Sequence, residues 1–313
     1  MRTTEDRRLT VLFIFVSLAY ISGPSVAPAR SGEPDPWVKK IAANAPKVPT
    51  VRVAEPREIL VFSLATGYQH SVIPNVDQVF QVVGQVSGAF RATITRDIED
   101  FAADRLKKFD VLVLNNTCSV GPRRDLLLDV LENDSRFKEL SEKQRQKKAR
   151  TLEKSILEFV RMGKGLVAIH GSPTLLNNSV EFTEMVGAAF DYHPPSQEVT
   201  LRTVEPEHPL AAAFRGKGAF VHKDEPYCFK GPYVKKNFRP LLAIETESVK
   251  DPKGRFADDV RYTAWIKPYG EGRVFFCSPS HFRESYESPI LLSFLLDGIQ
   301  YAAGDYPCDD STR

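Results

Sequence analysis

Three short apolar runs, EILVFSL at 58–64, DVLVLNN at 110–116 and GLVAIH at 165–170, limit what this chain can fold into more than any other feature. Each is continuously apolar, as a strand covered on both faces must be. Between the first two lie a helical stripe of Val76, Val79, Phe80 and Val83 and the alternating strand FRATITR at 90–96. Before the third, Ser141 and Gln144 have capping-box spacing, and Ala149, Leu152, Ile156, Phe159 and Val160 recur at helical intervals up to Gly163. This alternation predicts an α/β fold, a doubly wound and mostly parallel sheet with helices on both faces. Further on, the pattern predicts a helix near 180–190, strands near 198–204, 219–222, 239–245, 262–267 and 273–277, and a closing helix over 289–303.

The N-terminus reads differently. Arg7 and Arg8 precede an apolar run of 13 residues, Leu9 to Ile21, and then a small-residue segment ending Ala27-Pro28-Ala29. That order is a secretory signal peptide's, and the run falls short of the roughly 20 residues a membrane span needs. It predicts cleavage near Ala29, export to the periplasm or exterior, and no stable membrane span. Pro34, Pro36, Pro46, Pro49 and Pro56 then predict an extended linker over 30–57, which places the domain at 58–304 and a short tail at 305–313. Export permits disulfides, but Cys118, Cys228, Cys277 and Cys308 show no zinc-finger spacing, and their pairing stays open.

Composition excludes one class of partner. With 42 Lys and Arg against 40 Asp and Glu, net charge +2, the chain has no excess suited to a nucleic acid. The segment 135–150 carries seven basic residues against two Glu, and reads as a solvated helix face.

Chemistry is concentrated elsewhere. His70, His170 and His281 each sit just past a predicted strand, and in a doubly wound sheet such ends share one edge. The segment VHKDEPYCF at 221–229 adds His222, Asp224, Glu225 and Tyr227, suited to proton transfer or to holding sugar hydroxyls, with a solvated acidic loop as the equal alternative. His193 and His208 precede prolines and read as structural. Cys118 is a rival nucleophile, with burial as its plainer alternative. The chain has no G-x-S-x-G, no H-E-x-x-H, no phosphate loop and no dinucleotide fingerprint, so neither a nicotinamide nor ATP is indicated.

The segments LATGYQHS, DVLVLNNT, GKGLVAIHGSPT, EHPLAAAF, HKDEPY and AWIKPYGEGRVFFCSPSHF occur in an order and spacing that resembles the ThuA-like family, named for trehalose utilisation, over about 58–304. The resemblance implies a flavodoxin-like sheet of the class I glutamine amidotransferase type, with histidine where the amidotransferases carry their cysteine, so glutaminase chemistry is not expected. The family's G-[FY]-x-H falls on Gly67, Tyr68 and His70, its strand-end histidine on His170, and its D-E-x-Y on Asp224, Glu225 and Tyr227. Its late G-H falls on Ser280 and His281, with Ser280 replacing the glycine, and Ser71 stands where the family often has Asp.

These readings together predict an enzyme acting on a sugar or keto-sugar derivative, of hydrolase, lyase or isomerase type. His170, Glu225, His281 and His70 are the catalytic candidates, and Tyr68, Asp224, Tyr227 and Thr174 the substrate-binding ones. A non-catalytic carbohydrate-binding module is the alternative from another class. A divalent metal held by the imidazoles and a carboxylate is a variant of the enzyme reading.

Overall fold

All three apolar runs are central strands. The protein, seen in a computed structural model, is described over residues 35–254, 261–279 and 281–312, so the signal-peptide reading of 1–29 and the Ser280 position lie outside the described residues. In chain order the elements are α1 (Pro36–Asn44), β1 (Arg57–Phe62), α2 (Ile73–Ser87), β2 (Phe90–Thr95), α3 (Ala103–Leu106), β3 (Val111–Asn115), α4 (Leu126–Asn133), α5 (Glu142–Arg161) and β4 (Gly165–Ile169). Then come α6 (Val180–Val186), β5 (Ala189–Tyr192), β6 (Gln197–Thr203), β7 (Phe220–Asp224), β8 (Cys228–Lys230), β9 (Arg239–Ile244), β10 (Arg261–Tyr269), β11 (Gly272–Cys277) and α7 (Pro289–Ala302).

Nine strands form one sheet in the order β2-β1-β3-β4-β11-β10-β9-β6-β7. The first five run parallel, which is the 2-1-3-4-5 order of flavodoxin-like sheets. From β11 onward the pairing is antiparallel through β10, β9, β6 and β7. Strands β5 and β8 make a separate two-stranded ribbon. The helix expected over 180–190 stops at Val186, because Gly187 takes φ +91° and turns the chain into β5.

Period-two alternation sends the strand side chains into two cores. Ile59, Val61, Val111, Val113, Val167, Ile169 and Phe275 face α1, α2 and α7. Leu60, Phe62, Leu112, Leu114, Leu166, Ala168 and Phe276 face α3 to α6. Burial of each such side chain contributes about 1.5–3 kcal/mol, so the parallel half is held from both faces. Helix α5 begins on the expected capping box, Ser141 with Gln144, and buries Ala149, Leu152, Ile156, Phe159 and Val160.

The stretch read as a linker is partly folded. Pro36 occupies the first turn of α1, Asp35 accepts from the Trp37 N–H at 2.8 Å, and Trp37 and Ile41 enter the core beside α2. Thr50 bonds Asp297 of α7, and the Val51 backbone exchanges hydrogen bonds with the Gln300 side chain at 3.0 and 2.6 Å. The prolines mark the ends of packed pieces here, and the compact unit begins at Asp35 instead of Glu58. The tail is anchored likewise: Asp305 pairs with Arg57, Asp309 with Arg239, and Asp310 accepts from the Tyr301 hydroxyl at 2.8 Å. Among the described residues, Cys118, Cys228, Cys277 and Cys308 form no disulfide. No helix among the described residues is long and apolar enough to cross a membrane.

Candidate functional site

Residues just beyond the carboxyl ends of β1, β4, β7 and β11 meet at one point. They are His70, His170, Glu225 and His281, all buried, with one nitrogen or oxygen from each lying within 4.8 Å of the others. Glu225 Oε2 stands 3.0 Å from His281 Nδ1, 3.5 Å from His170 Nε2 and 4.0 Å from His70 Nε2. His170 Nε2 and His281 Nδ1 are 3.1 Å apart.

Local structure aims each side chain. His170 ends β4 in the left-handed region at φ +47°, a conformation that costs a residue with a Cβ about 1–2 kcal/mol. Its N–H still pairs with the Cys277 carbonyl of β11 at 2.9 Å, and its Nδ1 lies 2.8 Å from the Ser278 carbonyl. A carbonyl only accepts, so Nδ1 carries a proton, and the tautomer with its lone pair at Nε2 is the one that can ligate a metal. His70 Nδ1 faces Cys118 Sγ at 3.7 Å, while that thiol donates to the Gly171 carbonyl. His70 Nε2 points toward the cluster, buried and with no hydrogen-bond partner among the described residues. Close approach requires the flanking glycines: a Cβ on Gly67 would stand 2.4 Å from the Ser119 carbonyl oxygen, and one on Gly171 would stand 2.5 Å from Cys118 Sγ.

Electrostatics sets the charge of two of the four groups. Burial, then the neighbouring imidazoles, pushes His70 down to about 2, so its ring is neutral at any ordinary pH. Burial works to raise the Glu225 carboxyl, but hydrogen bonds and charge from His170 and His281 override it and hold the group well below its usual range. Burial lifts the Cys118 thiol to about 11, which removes it as a thiolate nucleophile near neutrality. The Tyr227 phenol is pushed far up by burial and stays protonated.

Beside the cluster lies a cavity of about 210 Å³, lined by His70 and Glu225 together with Tyr68, Thr174, His193 and Tyr227. Cys118, Arg124 and Phe190 complete its wall. Tyr68 is exposed and meets His70 edge-on with ring centroids 4.7 Å apart, and Tyr227 packs at 4.3 Å against His170. The Thr174 hydroxyl is engaged with the Gly171 carbonyl at 2.8 Å. Asp224, expected to bind substrate, is absent from that lining. Its Oδ1 accepts from the His281 backbone N–H at 3.0 Å and its Oδ2 faces His222, so it positions His281. A larger cavity of about 570 Å³ over β7 contains His222 and none of the four cluster residues.

The sequence reading missed three residues of the wall. His193 was read as structural, yet its Nδ1 lies 3.9 Å from Glu225 Oε1 and its ring stacks on Tyr227 at 5.6 Å. Arg124 and Phe190 carry no local motif that could have marked them. His208, also read as structural, accepts from the Leu210 N–H and contacts the Asp309 carbonyl, well away from the cluster in the fold.

Fold and site together define a flavodoxin-like protein whose strand-end elbow presents an imidazole within a buried cluster of three histidines and a glutamate. The family model described as ThuA, trehalose utilisation, matches residues 58–302, and the chain belongs to that family. Its structure is similar to that of a putative ThuA-like protein from Bacteroides uniformis, with 16% identity, 81% of this chain and 94% of that one covered, and a TM-score of 0.59. A putative ThuA-like protein from Parabacteroides merdae is also similar, with 17% identity, 83% and 98% covered, and a TM-score of 0.55. No curated protein matches the chain.

Proposed function

We propose that this protein is a carbohydrate-active enzyme in which His70, His170, His281 and Glu225 hold a divalent cation against a sugar or keto-sugar derivative. The observation that carries the reading is the convergence of four buried donor atoms, with His70 Nε2 making no hydrogen bond among the described residues. Tetrahedral ligands at about 2.0–2.1 Å from zinc stand roughly 3.3 Å from one another. Four of the six separations, 3.0, 3.1, 3.5 and 4.0 Å, bracket that spacing, and all six are within 4.8 Å. Metal binding also needs neutral imidazoles and an ionised carboxylate; burial keeps the His70 ring neutral, and the contacts of Glu225 keep its carboxylate ionised.

A bound cation would polarise a sugar carbonyl or ease loss of a hydroxyl proton. The remaining tasks fall to the chain. Tyr227, protonated beside His170, can donate a hydrogen bond to a substrate oxygen. His193, partly exposed beside Glu225, can exchange protons with water. The exposed Tyr68 ring offers a surface for the apolar face of a sugar.

One observation favours a second reading without metal. Glu225 lies within proton-exchange distance of both His281 and His170, so a direct acid–base pair is available. Incubation with oxidised and unoxidised mono- and disaccharides, read by mass spectrometry before and after chelation, separates the readings. Conversion that stops on chelation and returns with added metal supports the first, and conversion indifferent to chelator supports the second. A retained but unaltered sugar identifies a binding protein instead of an enzyme.

We also propose export. N-terminal sequencing of the mature protein should then find a chain beginning near Arg30, acting where nicotinamides and ATP are scarce. That setting suits a hydrolase, lyase or isomerase.

A further inference from the structure

Arg123 and Arg124 are adjacent in sequence and differ in what they meet. Arg123 is neutralised by α4, with Nη2 2.7 Å from Asp129 and Nη1 2.8 Å from Glu132. Arg124 lines the cavity beside the histidine cluster. Its one side-chain hydrogen bond among the described residues runs from Nη1 to the Ser119 carbonyl at 3.2 Å, and its guanidinium lies 5.9 Å from the Phe190 ring centroid. No described carboxylate stands within ion-pair distance of it. The remaining donors of a planar fork are therefore available to a ligand.

The backbone is held in an unfavourable state to put this side chain there. Arg124 has φ +51°, in the left-handed region that a residue with a Cβ rarely enters. The conformation is imposed by neighbours: the Asn177 N–H donates to the Arg124 carbonyl at 3.1 Å, and Asp125 bridges to Leu176.

Charge and volume narrow what the cavity accepts. Among the residues lining it, Arg124 is the one Lys or Arg and Glu225 the one carboxylate, so their charges offset. A divalent cation on the cluster would leave the cavity strongly positive, which in a small, partly dry space favours an anion. Its volume of about 210 Å³, the share of about seven waters at roughly 30 Å³ each, limits the ligand to about the size of a single sugar ring.

We propose that the preferred substrate is a monosaccharide acid, its carboxylate received by Arg124 while its hydroxyl or carbonyl oxygens reach the cluster. The proposal rests on the reading of that cluster as a metal centre that takes sugars, and adds the ligand's charge. Arg124 is the residue that sets specificity.

The test is calorimetric titration of zinc-loaded protein with glucuronate, galacturonate and gluconate, each against glucose, galactose and glucitol, with zinc per chain measured on the same samples. A charged hydrogen bond implies that at least one acid binds at least about tenfold more tightly than its neutral counterpart. Arg124→Gln should reduce that ratio to near one with zinc content and melting temperature unchanged, and Arg124→Lys should keep most of it. Equal binding of acids and neutral sugars, binding of neither, or a preference that survives Arg124→Gln overturns the proposal. Zinc well below one per chain beside an intact preference would instead remove the metal reading and leave Arg124 in its role.

Discussion

His170 Nε2 lies 3.1 Å from His281 Nδ1, while the other nitrogen of His170 is 2.8 Å from the Ser278 carbonyl. The carbonyl holds a proton on Nδ1, so in the neutral tautomer Nε2 is the lone pair. His281 can satisfy that lone pair or the Glu225 carboxylate at 3.0 Å, but a single N–H cannot serve both well. A cation in their midst would satisfy all three. His170→Ala should therefore lower bound metal well below one per chain and reduce turnover by about 10²- to 10⁴-fold, with the far-ultraviolet circular dichroism retained. Unchanged metal content and turnover would remove His170 from the site.

Gly171 supplies a test of spacing without touching a candidate ligand. Its φ of −67° suits any residue, so replacement by alanine acts through the added methyl alone. That methyl would lie 2.5 Å from Cys118 Sγ and 3.1 Å from His70 Cε1, pressing on the contact that orients His70. Gly171→Ala should lower metal affinity and cost about 1–3 kcal/mol of stability. Adding Cys118→Ala removes the sulfur and should recover part of that stability. A double-mutant cycle in denaturant showing strictly additive effects would rule out the contact as the cause.

Much of this arrangement was legible in the chain, for identifiable reasons. Continuous apolar runs such as Leu112–Leu114 and Leu166–Ile169 report burial on both faces, and that predicts the parallel half of the sheet. Three histidines just past predicted strands report a shared edge because parallel strands all end on one side. Other features depend on long-range packing. Trp37 and Ile41 have helical spacing, but their value as core residues depends on α2 being nearby, and the prolines around them suggested an extended segment. Asp224 carries the composition of a substrate contact and is instead turned to the His281 backbone. His193 and Arg124 enter the cavity through loop conformations that no local pattern encodes.

Asp297 links folding to pH. It is buried on α7 with the Thr50 hydroxyl as its partner, and burial raises its carboxyl from 3.8 to about 6 despite that hydrogen bond. The folded state thus prefers the protonated acid. Its stabilising effect is full below about pH 4 and is lost as pH rises through 6. Above that, ionisation in the folded protein costs roughly 3 kcal/mol, from 1.36 kcal/mol for each pH interval of one. Asp297→Asn keeps the acceptor for Thr50 and cannot ionise. Chemical denaturation should find the variant more stable than the parent at pH 7–8 by up to about that amount, with the difference vanishing near pH 4. A constant difference across this range would show that Asp297 does not titrate on unfolding.

The segment before β1 decides where the folded unit starts. Trp37 and Ile41 are buried at 6% and 0% exposure, and Thr50 and Val51 bond to Asp297 and Gln300 of α7. Trp37→Ala removes a large side chain from that interface and should cost about 3–5 kcal/mol. For a chain of this size that lowers the melting temperature by on the order of 10 °C. A chain beginning at Glu58, where the sequence pattern places the domain, loses both α1 and the strap over α7. It should melt still lower than the point variant, and it should lose the pH dependence of Asp297, whose carboxyl is then open to water. A chain begun at Glu58 that melts with one begun at Asp35 would return residues 35–57 to the status of a linker.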